Sequence, residues 1–201
     1  MRRVLTESPT YNGAIRAQSA LAIAIVLAAP LRVKNLAGLT LDRHFVRAQP
    51  GPDAILHLVI PAHEVKNDSH LEFELPDAVR KLLDLYVTRF RPLLATGPSA
   101  FLFPARQGGA KPPGQLAGQI QRAIRHEIGL QLNVHLFRHL AAKLFLSAHP
   151  GEYETVRLLL GHKSLVTTVR SYCGLEQSDA IRRYDAVLGR HRADGSMRDV
   201  A

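Results

Sequence analysis

Three short stretches in the second half of the chain hold side chains able to do chemistry on an anion. His135-Leu136-Phe137-Arg138 sets an imidazole and a guanidinium three residues apart. Leu158-Leu159-Leu160-Gly161-His162 ends an apolar run on glycine and places a second imidazole just past it. Tyr172 follows ten residues later, behind Thr167 and Thr168. A guanidinium forks onto paired oxygens, an imidazole moves protons near neutral pH, and a phenol is a nucleophile once its proton is taken. Singly these features are common. A His and an Arg three apart recur by chance, and Gly-His after a helix is an ordinary C-cap. Their order and spacing make the set specific.

The elements that must position them follow from periodicity and breakers. Residues 1–16, with Pro9 and Gly13, form an irregular lead-in, and a buried helix over 17–29 is stopped by Pro30. A short helical stretch reaches Leu36. Strands are expected at 44–48, 54–60 and 70–75, separated by Gln49-Pro50-Gly51-Pro52 and by the polar stretch 63–69. Asp77 caps a helix over 77–91 with Val79, Leu82, Leu83, Tyr86 and Phe90 at helical spacing. Residues 95–114 hold four Pro and four Gly and read as a loop. Helices follow at 115–128, 136–148, 152–160, 165–172 and 175–188, bounded by Gly129, Pro150-Gly151, Gly161, Ser164 and Gly174. The fold class is α+β, mostly α, with a small three-stranded antiparallel sheet, and the tail 191–201 is expected to be flexible.

Composition narrows the classes. The chain has 201 residues, 46% apolar and 21% charged, a globular balance that excludes general disorder. Its 26 Lys+Arg against 17 Asp+Glu give a formal charge of +9, which favours a polyanionic partner. The single cysteine, Cys173, excludes a disulfide framework and suits a reducing compartment; beside Tyr172 it reads as a small packing residue. The apolar run at 20–29 falls short of the ~20 residues a membrane span needs and reads as a core helix, so a cytoplasmic protein is expected. A zinc site on His135 and His139 lacks the acidic residue of H-E-x-x-H and has Arg138 wedged between the ligands. No G-x-S-x-G elbow and no P-loop occur, since Gly108-Gly109 lacks the following Lys-Ser/Thr.

Over roughly residues 15–190 the chain resembles the catalytic domain of the tyrosine recombinases, the phage-integrase family. That family's pattern is an early Arg, a Lys on a β-hairpin, His-x-x-Arg, Leu-Leu-Gly-His and a Tyr nine or ten residues later. Pro30-Leu31-Arg32-Val33-Lys34-Asn35-Leu36 looks like the first-arginine motif, Lys66 falls in the turn between the second and third strands, and His135, Arg138, His162 and Tyr172 complete the set. The resemblance implies a site-specific DNA recombinase or integrase, a DNA strand transferase that cleaves and rejoins DNA through a 3′-phosphotyrosine. In that scheme Arg32 and Arg138 clamp the phosphate, Tyr172 attacks it, Lys66 protonates the leaving 5′ oxygen, His135 assists proton transfer or holds the phosphate, and His162 donates to a phosphate oxygen. It implies no metal, no ATP and no other cofactor. The partner would be double-stranded DNA, with homo-oligomers assembled on it and helix 175–188 packing on a neighbouring copy; no membrane and no small-molecule substrate enter.

The chain departs from the pattern at two positions. Asn35 stands where the family usually has Glu three residues after its first arginine, and Leu136 stands where Asp usually follows the second-motif histidine. Residues 17–190 would form the catalytic domain, and the 16 residues before it leave no room for the usual N-terminal DNA-clamp domain, which is expected to be absent. Alternatives with the same fold are a truncated, non-recombining DNA-binding remnant and a type IB topoisomerase-like nicking-closing activity.

Overall fold

Apolar side chains cover most of the circumference of the first helix, α1, Tyr11–Ala28, so it buries residues on nearly every side, among them Ala14, Ala17, Leu21, Ala22, Ile25 and Val26. Thr10 caps it: its Oγ1 accepts from the Gly13 N–H at 3.1 Å. With that cap available the helix begins at Tyr11, inside the stretch expected to be an irregular lead-in. At 18 residues and a mean hydropathy of 1.2, α1 is long and apolar enough by length and composition to cross a membrane, but 56% of it is buried inside the protein. It is a core helix, ended before Pro30 as the sequence predicts.

The structure, a computed structural model, describes residues 9–51, 54–66, 68 and 70–196, with the side chains of 173–180, 182–183 and 191–196 outside that description. The packing role expected of Cys173 and most of the helix expected at a neighbouring copy, 175–188, fall on those side chains. The expected span 17–190 holds two compact units, Met1–Ala141 and Ala142–Ala201.

In the first unit α1 is followed by the short helix α2, Val33–Ala37, and by strands β1, Phe45–Arg47, β2, Leu56–Ile60, and β3, Leu71–Leu75. The sheet is antiparallel in the order β1-β2-β3, with Phe45 opposite Leu58 and Leu58 opposite Phe73. This is the expected small sheet, trimmed by a residue or two at the start of each strand and by one at the end of β1. Leu56, Leu58 and Ile60 point to the core and the residues between them do not, the alternation of a half-covered strand. The segment expected as one helix over 77–91 winds as α3, Asp77–Leu85, loosens into a π-helical turn at Tyr86–Phe90 and closes with a 3₁₀ turn at Arg91–Leu93. Pro92 lacks an N–H and its ring clashes with the carbonyl four residues back, so regular helix cannot continue through it.

The proline- and glycine-rich loop is pinned from below. Arg91 Nε donates to the Phe101 carbonyl at 3.0 Å, and the buried Tyr86 hydroxyl donates to the Leu102 carbonyl at 3.1 Å. Lys111, also buried, donates to Gln18 Oε1 at 2.9 Å and Gln119 Oε1 at 3.3 Å, joining the loop to α1 and to α4, Pro113–Ile128. Gly129, left-handed at φ 73°, caps α4. Helix α5, Val134–Ala148, carries the division between the units.

The second unit holds the end of α5, then α6, Tyr153–Leu160, and α7, Leu165–Ser196. Its apolar cluster is Ala142, Leu146, Val156, Leu160 and Tyr172, with Phe145 and Tyr153 against it. The two helices expected at 165–172 and 175–188 are one continuous helix. Gly174 does not break it, because a single interior glycine costs only about 1 kcal/mol. The helix also continues through 191–196, the first part of the tail expected to be flexible.

Candidate functional site

Four of the six candidate residues belong to the first unit. Arg32 sits at the N-cap of α2 with extended backbone, φ −69° and ψ 145°, half-buried by its surroundings. Desolvation holds its guanidinium below the usual arginine value. His135 and Arg138 lie on the first turns of α5, whose start is fixed by Asn133, its side-chain oxygen accepting from the Leu136 N–H at 3.0 Å. Three residues apart, they share a helix face. Arg138 is buried, and its Nη1 donates to the carbonyl of Pro30. That bond brings the second arginine against the segment carrying the first.

His135 reports the same convergence. Its pKa is lowered from the usual 6.5, first by burial, then by His139, and then by the cations of Arg138 and Arg32. Arg32 and Arg138, more than a hundred residues apart in sequence, both act on His135, so the three form one basic cluster. His139 meets His135 edge to face, the ring centroids 4.7 Å apart. Among the described residues no group of three or more His, Cys, Asp or Glu is gathered as a metal site.

Lys66 is exposed, in the turn between β2 and β3 where the sequence puts it. It follows a 3₁₀ turn at Ala62–Glu64, and the preceding residue, Val65, is buried in the core of the first unit. The turn is connected to α2 by Asn35, whose Nδ2 donates to the Glu64 carbonyl at 2.8 Å.

His162 and Tyr172 belong to the second unit. Gly161, left-handed at φ 57°, closes α6 with two backbone bonds, Gly161 N–H to Leu158 and His162 N–H to Arg157 at 2.9 Å. This is the Schellman arrangement that glycine permits. Arg157 adds a third tie, its Nη1 donating to the His162 carbonyl at 2.9 Å while Glu154 holds the other face of the guanidinium. The imidazole Nδ1 lies 2.9 Å from the hydroxyl of the buried Thr168, the second residue of the Thr-Thr pair. Both the backbone and the ring plane of His162 are thus set before any ligand arrives. Tyr172 is 2% exposed, seated among Ala142, Leu146, Val156 and Leu160.

The sequence reading singles out the six residues themselves but not their supports. Arg157 and Thr168 under His162, and Asn35 and Glu64 beside Lys66, act through side-chain bonds between separate elements. Of these, the sequence reading names only Thr168, in the Thr-Thr pair, and Asn35, as a departure from the family pattern.

Comparisons with known proteins bear on the family and the fold. The family model for the phage integrase family matches residues 1–178. Among solved structures, the XerH site-specific recombinase bound to palindromic difH substrate, a post-cleavage complex, superposes with a TM-score of 0.65 at 24% identity over 85% of this chain and 47% of that one. The XerH pre-cleavage complex with difH gives 0.63 at 24% identity, covering 78% and 43%. The XerA recombinase gives 0.55 at 19% identity, covering 78% and 55%. The chain spans about half the length of these relatives. No curated protein matches it at a significant level. The fold is that of a tyrosine-recombinase catalytic domain, mostly helical with one small antiparallel sheet. The chain belongs to the phage integrase family.

Proposed function

We propose that this chain is the catalytic domain of a site-specific DNA recombinase that breaks and rejoins duplex DNA through a covalent 3′-phosphotyrosine. The observation that carries the reading is the convergence of Arg32, His135 and Arg138: buried Arg138 donates to the carbonyl of Pro30, two residues before Arg32, and both cations act on His135. A phosphodiester is an anion, and it repels a nucleophile until its non-bridging oxygens are neutralised. Two guanidinium forks do that in the geometry phosphate presents, and their contacts strengthen as charge builds in the transition state.

In this reading the Tyr172 phenol oxygen forms a bond to phosphorus and the bond to the 5′ oxygen breaks. The phenol proton passes to His135, whose lowered pKa keeps the ring neutral and able to accept it. Lys66 gives a proton to the departing 5′ oxygen. His162, held through Nδ1 by Thr168, donates from its other nitrogen to a phosphate oxygen. The phosphotyrosine bond keeps the energy of the broken linkage, so attack by a 5′ hydroxyl reverses the step without ATP. The remaining positive charge follows the DNA backbone on either side. Copies assemble on the DNA, in the cytoplasm.

A nicked suicide duplex tests this. The wild-type chain forms a covalent protein–DNA adduct on a denaturing gel and Tyr172→Phe does not. Equal adduct from both would remove the nucleophile from Tyr172.

A further inference from the structure

Glu64 is bonded at both ends. Its backbone carbonyl accepts from Asn35 Nδ2 on α2 at 2.8 Å. Its carboxylate reaches His44 Nε2 at 3.0 Å through Oε2, and Arg43 Nη2 at 3.3 Å and His63 Nε2 at 3.8 Å through Oε1. His44 is fully buried, just ahead of β1, and the Thr40 backbone N–H donates to its Nδ1 at 3.0 Å. With Nδ1 used as acceptor, the ring's proton sits on Nε2 and faces the carboxylate. The next residue, Val65, is in the core, and the one after that is Lys66. A flexible side chain that must protonate a leaving oxygen thus stands on a backbone fixed to the α2 helix and to the start of the sheet.

We infer that Asn35 and Glu64 are positioning residues that hold Lys66 in register with Arg32. The inference rests on the reading of Lys66 as the general acid. Arg32 caps α2, Asn35 lies one turn along the same helix, and the Asn35–Glu64 bond makes the arginine's helix and the lysine's turn one body. The bond also accounts for the residue type. A carbonyl needs a donor, which the Asn amide has and the family's usual Glu does not. Asn35 is matched to this turn, and Glu64 supplies the carboxylate, which it aims at His44 and Arg43.

The test separates leaving-group protonation from every other step. In a suicide duplex with sulfur in place of the bridging 5′ oxygen, the leaving thiolate departs without a proton. Asn35→Asp keeps the shape and removes the donor; Glu64→Ala removes the carboxylate. Both are expected to cleave the oxygen substrate about tenfold more slowly and the sulfur substrate at the wild-type rate, since a small misplacement of a catalytic group costs up to ~10²-fold. Lys66→Ala is expected to lose ~10²-fold or more on oxygen and to be restored by sulfur. Variants slowed equally on both substrates, or on neither, overturn the inference. If sulfur restores Lys66→Ala but not Asn35→Asp, the positioning role alone falls. If sulfur fails to restore Lys66→Ala, the general-acid reading falls and the inference with it. Amide hydrogen exchange reads the connection without activity. Exchange at Glu64 and Val65 should quicken about tenfold in Asn35→Asp, and unchanged rates overturn the inference.

Discussion

The reactivity of Tyr172 depends on the apolar seat that holds it. Its ring is 2% exposed, packed among Ala142, Leu146, Val156 and Leu160. Burial of a Tyr side chain removes about 150–250 Å² from water, worth about 4–6 kcal/mol at ~25 cal/mol per Å². If the phenol must leave this seat to react, the competent state is populated at about one part in a thousand or less before DNA contributes. Leu146→Ala tests the cost, because it shortens a wall of the seat and lies outside the motifs. The substitution should destabilise the chain by about 2–5 kcal/mol. A share of about 1.4 kcal/mol falling on the Tyr172 seat would raise the competent population tenfold. Two assays read it: nitration of Tyr172 in the free protein, located by peptide mass mapping, and adduct formation on the suicide duplex. Both should accelerate about tenfold at a temperature where the variant is still folded. A variant that is less stable but nitrates and cleaves at wild-type rates would show that Tyr172 reacts from its seat, and the reasoning would fail.

Further expectations concern charge and backbone. Lys111 loses its proton near pH 8 instead of 10.5 because burial disfavours the ammonium. The unfolded chain therefore holds that proton between the two values and the folded chain does not, so stability should rise by about 2–3 kcal/mol from pH 8 to 10.5. Urea midpoints for wild type and Lys111→Met check this, and parallel pH curves would refute it. Arg138→Ala should abolish cleavage while keeping most DNA affinity, measured by adduct yield beside an electrophoretic shift. An unchanged cleavage rate would remove the residue from the site. With His135 as proton acceptor, cleavage should persist below pH 6.5, because its pKa is lowered from that value; a pH–rate profile losing activity above 6.5 would contradict the role. Gly161→Ala forces a Cβ into φ 57° and should cost about 1 kcal/mol in thermal unfolding, with His162 displaced.

Much of this protein was legible in its residues. The apolar run at 54–60, the alternation in Leu71–Leu75 and the turn residues between them marked the strands, and Gly129 and Gly161 ended their helices, because these signals are local. The ordered Arg, Lys, His-x-x-Arg, Gly-His and Tyr residues are one-dimensional as well. Local rules misread Gly174, whose small helix penalty is outweighed over a 32-residue helix, and the stretch before Pro92, where the ring forced a π turn. Three matters belong to tertiary structure alone: the contact of Arg138 with Pro30, the seating of Tyr172 among four apolar neighbours, and the bonds from Asn35 and His44 to Glu64. Each depends on distances between residues remote in the chain. A sequence fixes the chemical type and order of its groups, whereas their separation is set by how the helices and sheet pack.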